Sequence, residues 1–113
     1  LVKNQGVDSV RSVSLVDQHP FRMFQMDDDG LIKPYIKTDS GEPFLLRRQD
    51  LPELYYYNCV LDVAWSKTIM EKESMTGKKI KPLIMNHSDS YDIDTMYDLQ
   101  VIRSLEASGL IKI

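Results

Sequence analysis

An α/β fold around a mostly parallel sheet is what this chain of 113 residues predicts. Two observations carry that expectation. Short apolar, β-branched runs alternate along the chain with segments that have helix start and stop chemistry. Neither internal repeats nor low-complexity stretches interrupt that alternation. The length is that of one domain or part of one, since domains run on the order of 100–150 residues.

The elements follow in order. Residues 1–6 read as the end of a helix with Gly6 as its C-cap, and neither a Met start nor a signal peptide is present, so the chain is expected to begin in mid-fold. Residues 10–16 form a buried strand. Residues 21–26 form another, and Asp29-Gly30 turns the chain into Leu31-Ile32. Residues 37–52, with Gly41, Pro43 and Pro52, lack periodicity and read as a long loop, a kind of segment that is often functional. Residues 58–65 are the third strand. Ser66 is the expected N-cap of a short helix reaching about Glu73, closed by Met75-Thr76-Gly77, and residues 80–85 are the fourth strand. Thr95-Met96-Tyr97-Asp98 has the form of a capping box, followed by Leu99, Ile102 and Leu105 on one apolar stripe. Gly109 ends that helix, and residues 110–113 are expected to form a terminal strand. Such a set leaves a sheet edge open, which again points to further chain.

Composition excludes some classes. A net charge of −3 argues against binding a nucleic-acid backbone, which needs clustered Lys and Arg. No apolar run approaches the roughly 20 residues of a membrane-spanning helix. Cys59 is the single cysteine, so no internal disulfide forms and a cytoplasmic setting is expected.

The sharpest local feature is Asp92-Ile93-Asp94-Thr95, between a strand pattern and a helix start. In extended backbone, residues two apart point to one face, so Asp92 and Asp94 project together. Two carboxylates at a strand's C-terminal end suit a hard ion such as Mg²⁺. The spacing equally fits one solvated Asp beside one that supports the helix N-terminus. Arg47-Arg48 in the long loop offers planar forks for carboxylate or phosphate, or is a solvated surface pair. Strict alternation puts Asn58, Val60, Asp62 and Ala64 on one strand face as possible ligand partners, and Cys59, Leu61, Val63 and Trp65 on the core face. Asp27-Asp28-Asp29-Gly30 lacks the ligand spacing of a calcium loop and is a turn. Thr76-Gly77-Lys78-Lys79 lacks the upstream glycine of a phosphate loop. His19 and His87 lack metal-ligand spacing.

Taken together, His19-Pro20, Arg48-Gln49-Asp50-Leu51-Pro52, Asn58, and Asp92-Ile93-Asp94-Thr95 with Asp98 resemble the acylneuraminate cytidylyltransferase family, which includes CMP-sialic acid and CMP-Kdo synthetases. The resemblance runs from about residue 8 to residue 105. It implies a three-layer Rossmann-like nucleotide-diphospho-sugar transferase fold, of which residues 1–113 would be the C-terminal, sugar- and metal-binding half. It also implies a homodimer that moves CMP from CTP to a 2-keto sugar acid, such as a sialic acid-like nonulosonic acid, releasing pyrophosphate with Mg²⁺. By the same resemblance, Asp92 and Asp94 are the metal carboxylates. Arg48 would act on sugar or phosphate with Gln49 beside it, Asn58 would contact the sugar, and Arg22 would face the substrate.

Two departures accompany it. Where the family reads Asn-Gly-Ala-Ile-Tyr, this chain reads Asn58-Cys59-Val60-Leu61-Asp62, so Asp62 replaces a pocket tyrosine and a sugar other than sialic acid stays open. The family's Gly-rich segment for the nucleoside triphosphate is not among these residues. A non-catalytic dimerisation or sugar-binding module, or a same-fold enzyme using GTP or another sugar acid, are the alternatives.

Overall fold

The computed structural model describes residue 3 and residues 6–111. Most of the expected N-terminal helix end and half of the expected terminal strand lie outside the described residues, and Leu110 and Ile111 are not in a strand. The elements in chain order are β1 (Ser9–Leu15), β2 (Phe24–Met26), β3 (Ile32–Pro34), β4 (Tyr55–Ala64), α1 (Ser66–Lys72), β5 (Ile80–Ile84) and α2 (Met96–Ala107). They fall into two compact units. One is Leu15–Tyr55; the other joins Leu1–Ser14 to Tyr56–Ile113.

The Leu15–Tyr55 unit holds the antiparallel pair β2–β3, with Phe24 opposite Pro34 and Met26 opposite Ile32. The turn between them is closed by Asp27, whose Oδ1 accepts the N–H groups of Asp29 and Leu31, each at 3.0 Å. The acidic run is thus a turn, as its spacing implies. β2 is shorter than residues 21–26, because a 3-10 turn occupies Pro20–Arg22. Pro20 presets the turn dihedral, and His19 Nδ1 accepts the Phe21 N–H at 3.1 Å. That bond assigns the ring proton to Nε2, which donates to the Pro52 carbonyl at 2.8 Å. The loop of residues 37–52 is shaped by two more 3-10 turns, Pro43–Leu45 and Arg48–Asp50.

In the other unit β1 is central, in a sheet ordered β4-β1-β5. It runs parallel to β5, with Ser9 opposite Ile80 and Val13 opposite Ile84. The molecule is therefore mixed α/β. β4 starts at Tyr55, three residues before the expected strand, because Tyr55-Tyr56-Tyr57 is itself strand-forming. Trp65, not Ser66, occupies the N-cap of α1, and no side chain caps that end. The expected capping box at α2 is present: Thr95 Oγ1 accepts the Asp98 N–H at 3.1 Å while Asp98 Oδ2 accepts the Thr95 N–H at 3.0 Å.

Burial is unusually polar. Ser9, Ser12 and Ser14 of β1 have no exposed surface, whereas Ile102 is the one buried large aliphatic among the described residues. Val60, Leu61 and Val63 of β4 and Ile80, Leu83 and Ile84 of β5 are 39–59% exposed.

At the head of β1, Asp8 acts as a clasp. Its carboxylate accepts from Lys72 Nζ (2.6 Å) and from the N–H groups of Lys78 (2.8 Å) and Lys79 (3.0 Å). The Thr68 hydroxyl donates to its carbonyl at 2.9 Å. Gly77 completes the approach, with φ +71° and a position where an added Cβ would meet Asp8 Cβ at 2.3 Å. Gly77→Ala should therefore destabilise by about 3 kcal/mol, combining left-handed strain with overpacking; urea denaturation within 0.5 kcal/mol of the parent, the spread of about ±0.5 kcal/mol typical of neutral surface changes, would refute the clasp geometry. The Lys72 ammonium, then the Lys79 and Lys78 amides, hold the Asp8 carboxyl well below the usual carboxylate range. A depressed folded-state pKa gives stability that is present at neutral pH and lost as pH falls below about 4. Asp8→Asn should accordingly lower the urea midpoint at pH 7, with the gap to the parent narrowing as pH falls; a constant gap would show that the charge is not responsible.

Candidate functional site

The sequence-predicted site residues divide between the two units. Arg22, Arg48 and Gln49 belong to Leu15–Tyr55; Asn58, Asp62, Asp92 and Asp94 belong to the other.

In the Leu15–Tyr55 unit, Arg22 is occupied as a brace for the long loop. Its guanidinium donates to the Leu46 carbonyl at 2.9 Å and reaches the Phe44 carbonyl at 3.5 Å. Arg48 opens the Arg48–Asp50 turn. The ion pair there belongs to its neighbour: Arg47 Nε lies 3.0 Å from Asp50 Oδ2, an exposed i,i+3 contact of little energetic weight. Arg48 and Gln49 are exposed, and among the described residues no hydrogen bond or ion pair engages either side chain.

In the other unit the strict alternation expected for β4 does not hold. Cys59 sits at φ 62°, in the left-handed region, inside the strand. A residue so placed acts as a bulge and resets the pleat. On one side of β1, Ser12 Oγ donates to Asn58 Oδ1 (2.5 Å) and Asn58 Nδ2 donates to Ser14 Oγ (2.9 Å). Arg11, which alternates with Ser12, pairs with Asp62 Oδ2 at 2.8 Å, and the Tyr57 hydroxyl donates to the same oxygen. Asn58 and Asp62 therefore face opposite sides of the sheet, and Cys59 is exposed instead of facing a core. The bulge is held by side chains: the Val60 N–H donates to Asn58 Oδ1 (3.2 Å) and the Leu61 N–H to Ser12 Oγ (2.8 Å). The glycine at this position in the resembling family fits the same backbone, because only glycine adopts positive φ without strain.

Asn58 is 4% exposed, and its amide is spent on this network. Asp62 is half-exposed. The Tyr57 hydroxyl, then the Arg11 guanidinium, hold its carboxyl below the usual range, and Asp62 in turn raises the Tyr57 pKa. Arg11 also donates to the Met75 carbonyl (2.8 Å) and to Thr76 Oγ1 (2.6 Å), so it ties β1 to the loop after α1. Sequence reading missed Arg11 and Tyr57. The signal available was a lone arginine in the middle of a strand otherwise made of serine and apolar residues.

The acidic pair stands apart. Asp92 and Asp94 are exposed, in irregular backbone just before α2. Among the described residues no hydrogen bond or ion pair engages either carboxylate. Upstream, Ser90 is buried, with its Oγ 3.5 Å from Ser14 Oγ, so the segment departs from the Ser12–Asn58–Ser14 network. Downstream, the Asp94 N–H donates to Asp98 Oδ2 at 3.0 Å. Among the described residues no cluster of three or more His, Cys, Asp and Glu side chains that could hold a metal ion forms, which leaves Asp92 and Asp94 as the candidate donors at this helix entry. That donor set fits Mg²⁺, which is commonly held by one or two carboxylates with the remaining positions left to water and substrate oxygens. No helix among the described residues is long and apolar enough to cross a membrane.

These features define an α/β chain with an exposed acidic pair at a helix entry, and comparison with known proteins gives the relationship. The chain is 32% identical over 95 residues, 84% of its length, to N-acylneuraminate cytidylyltransferases of Streptococcus agalactiae serotypes V, III and Ia. It is thereby related to the acylneuraminate cytidylyltransferases, as its motifs imply. The aligned region is 22% of the length of those relatives. No protein-family profile matches the chain.

Two substitutions test the bulge. Asn58→Ala takes one partner from each of two buried serine hydroxyls and should cost about 2–3 kcal/mol. Cys59→Gly should be neutral or stabilising by up to about 1 kcal/mol, as relief of left-handed strain outweighs the added chain entropy. Chemical denaturation of both variants checks the pair, and a Cys59→Gly loss above about 1 kcal/mol, the interior-strand cost of glycine, would refute the positive-φ bulge.

Proposed function

We propose that this chain carries the acidic metal site and part of the sugar pocket of an Mg²⁺-dependent nucleotidyltransferase, which moves CMP from CTP to the anomeric hydroxyl of a 2-keto sugar acid and releases pyrophosphate. The observation that carries this reading is the pair Asp92 and Asp94, exposed and uncommitted, in a chain related to N-acylneuraminate cytidylyltransferases. The name of the relatives supplies the reaction class, and the sugar acid follows from the resemblance.

In this reading Asp92 and Asp94 hold Mg²⁺, which when bound would neutralise phosphate charge as nucleotidyl transfer proceeds. Arg48, free on its turn, binds an anionic oxygen of sugar or phosphate, with Gln49 as a neutral donor beside it. Arg22 holds the long loop that presents them and faces the substrate from it. Asn58 acts from beneath the surface, fixing the β4 bulge on the sugar side. Asp62, on the other side of the sheet from Asn58 and already engaged by Arg11 and Tyr57, braces β4 against β1 and leaves the sugar to the other residues. The nucleoside triphosphate is bound by a segment of the Rossmann-like fold outside these residues, and the complete assembly is a homodimer.

Asp94→Asn, placed in a polypeptide that includes the triphosphate-binding half, should lower kcat by about three orders of magnitude, since loss of metal neutralisation is worth several kcal/mol at about 1.4 kcal/mol per decade. Pyrophosphate release from CTP and a panel of sugar acids is the measurement. Turnover within threefold of the parent at saturating Mg²⁺ would refute the acidic pair as the metal site.

A further inference from the structure

The Asp98 carboxylate serves α2 and also something α2 does not need. Its Oδ2 accepts the Thr95 N–H at 3.0 Å, and Thr95 Oγ1 accepts the Asp98 N–H at 3.1 Å, which together cap the helix. The same Oδ2 accepts the Asp94 N–H at 3.0 Å. Asp94 lies before the N-cap, so this last bond completes no helical turn.

Its geometric consequence is specific. The Asp94 N–H belongs to the peptide plane before Asp94 Cα, and the Thr95 N–H to the plane after it. One oxygen thus holds both planes that flank that Cα. With both planes fixed, the direction of the Asp94 Cα–Cβ bond is fixed as well, although the carboxylate itself makes no hydrogen bond or ion pair with a described residue. Upstream, the buried Ser90 anchors the same segment two residues before Asp92. The strand-like alternation expected from sequence would have aimed the pair by pleating. The structure instead places both residues in irregular backbone, where some other constraint must aim them.

We propose that Asp98 is the positioning residue of the acidic pair: by holding the two N–H groups that flank Asp94, it sets the direction in which the Asp94 carboxylate meets a divalent cation. The inference rests on the metal reading above. Partners that orient a metal-binding side chain without touching the ion commonly change affinity by about 10–100-fold when removed.

The test is an electron paramagnetic resonance titration with Mn²⁺ on the 113-residue chain, run beside urea denaturation of each variant. Asp98→Ala should weaken Mn²⁺ binding by about tenfold. Asp98→Asn should stay close to the parent, because a single amide oxygen at the Oδ2 position still accepts both N–H groups without the charge. Asp98→Glu should rescue, since Glu is the common capping-box residue at this position. Thr95→Ala removes the reciprocal half of the cap and costs comparable stability, yet leaves both Asp98 acceptor bonds, so its Mn²⁺ affinity should match the parent. Asp98→Ser, too short to reach the Asp94 N–H, repeats the measurement should the Ala variant unfold. If Asp98→Ala binds Mn²⁺ as tightly as Thr95→Ala, Asp98 is a helix cap and nothing more. If Asp98→Asn falls as far as Asp98→Ala, the charge and not the position is what the ion senses. Asp94→Asn separates the two claims: no change in Mn²⁺ binding there overturns the metal reading and this inference with it. A clear loss there with none in Asp98→Ala overturns positioning alone.

Discussion

Three hydroxyls without exposed surface in one seven-residue strand impose a strict condition on everything near β1. A buried hydroxyl with no partner costs on the order of 1–3 kcal/mol, so each serine must find one where the fold leaves it. Ser9 donates to the Thr76 carbonyl at 2.7 Å, Ser12 to Asn58, and Ser14 accepts from Asn58. Asn58 is buried because those two serines need it, and Cys59 takes a left-handed conformation because Asn58 and Ser12 also capture the next two backbone donors. The bulge, the side to which Asp62 turns, and the loop after α1 all follow from satisfying polar groups on one strand. The Asp8 clasp extends the same logic beyond the end of that strand. Directional bonds carry much of the specificity here, since the apolar residues of β4 and β5 are largely uncovered by the elements described.

What could be read in the sequence was chemistry local to a few residues. The Thr95–Asp98 capping box is a pattern of four consecutive positions and needs no tertiary information. The β1 strand announced itself by a run of β-branched and apolar residues, β5 by a short apolar stretch, and the turn before β3 by Asp29-Gly30. Asp92-Ile93-Asp94 was legible as a pair of acids, but its geometry was not. Period-two reasoning requires extended backbone, and the pair lies in a segment aimed by a helix cap. The face of Asp62 was lost for a related reason. Alternation is a rule about unbroken pleats, and a single positive φ at Cys59 reverses it for every later residue in β4. Arg11 was invisible because its partners, Asp62, Met75 and Thr76, are all distant in sequence.

Some carboxylates are consumed by the fold and others are not, and Asp92 and Asp94 belong to the second group, together with exposed acids such as Asp28, Asp29 and Asp39. Asp8 holds three donors, Asp62 holds Arg11 and Tyr57, and Asp98 holds two backbone N–H groups. Each of the three has its pKa lowered by those same bonds, which is another way of saying that the fold is stabilised by their negative charge. Such a group resists recruitment by a cation, because ligation would have to replace bonds the structure already depends on. Asp92 and Asp94 contribute no bond of that kind among the described residues, although the backbone around them is held from both ends by Ser90 and Asp98. A side chain that stabilises nothing, on a backbone that is nonetheless constrained, has its acceptor capacity intact and its direction set. A metal-binding carboxylate requires both properties.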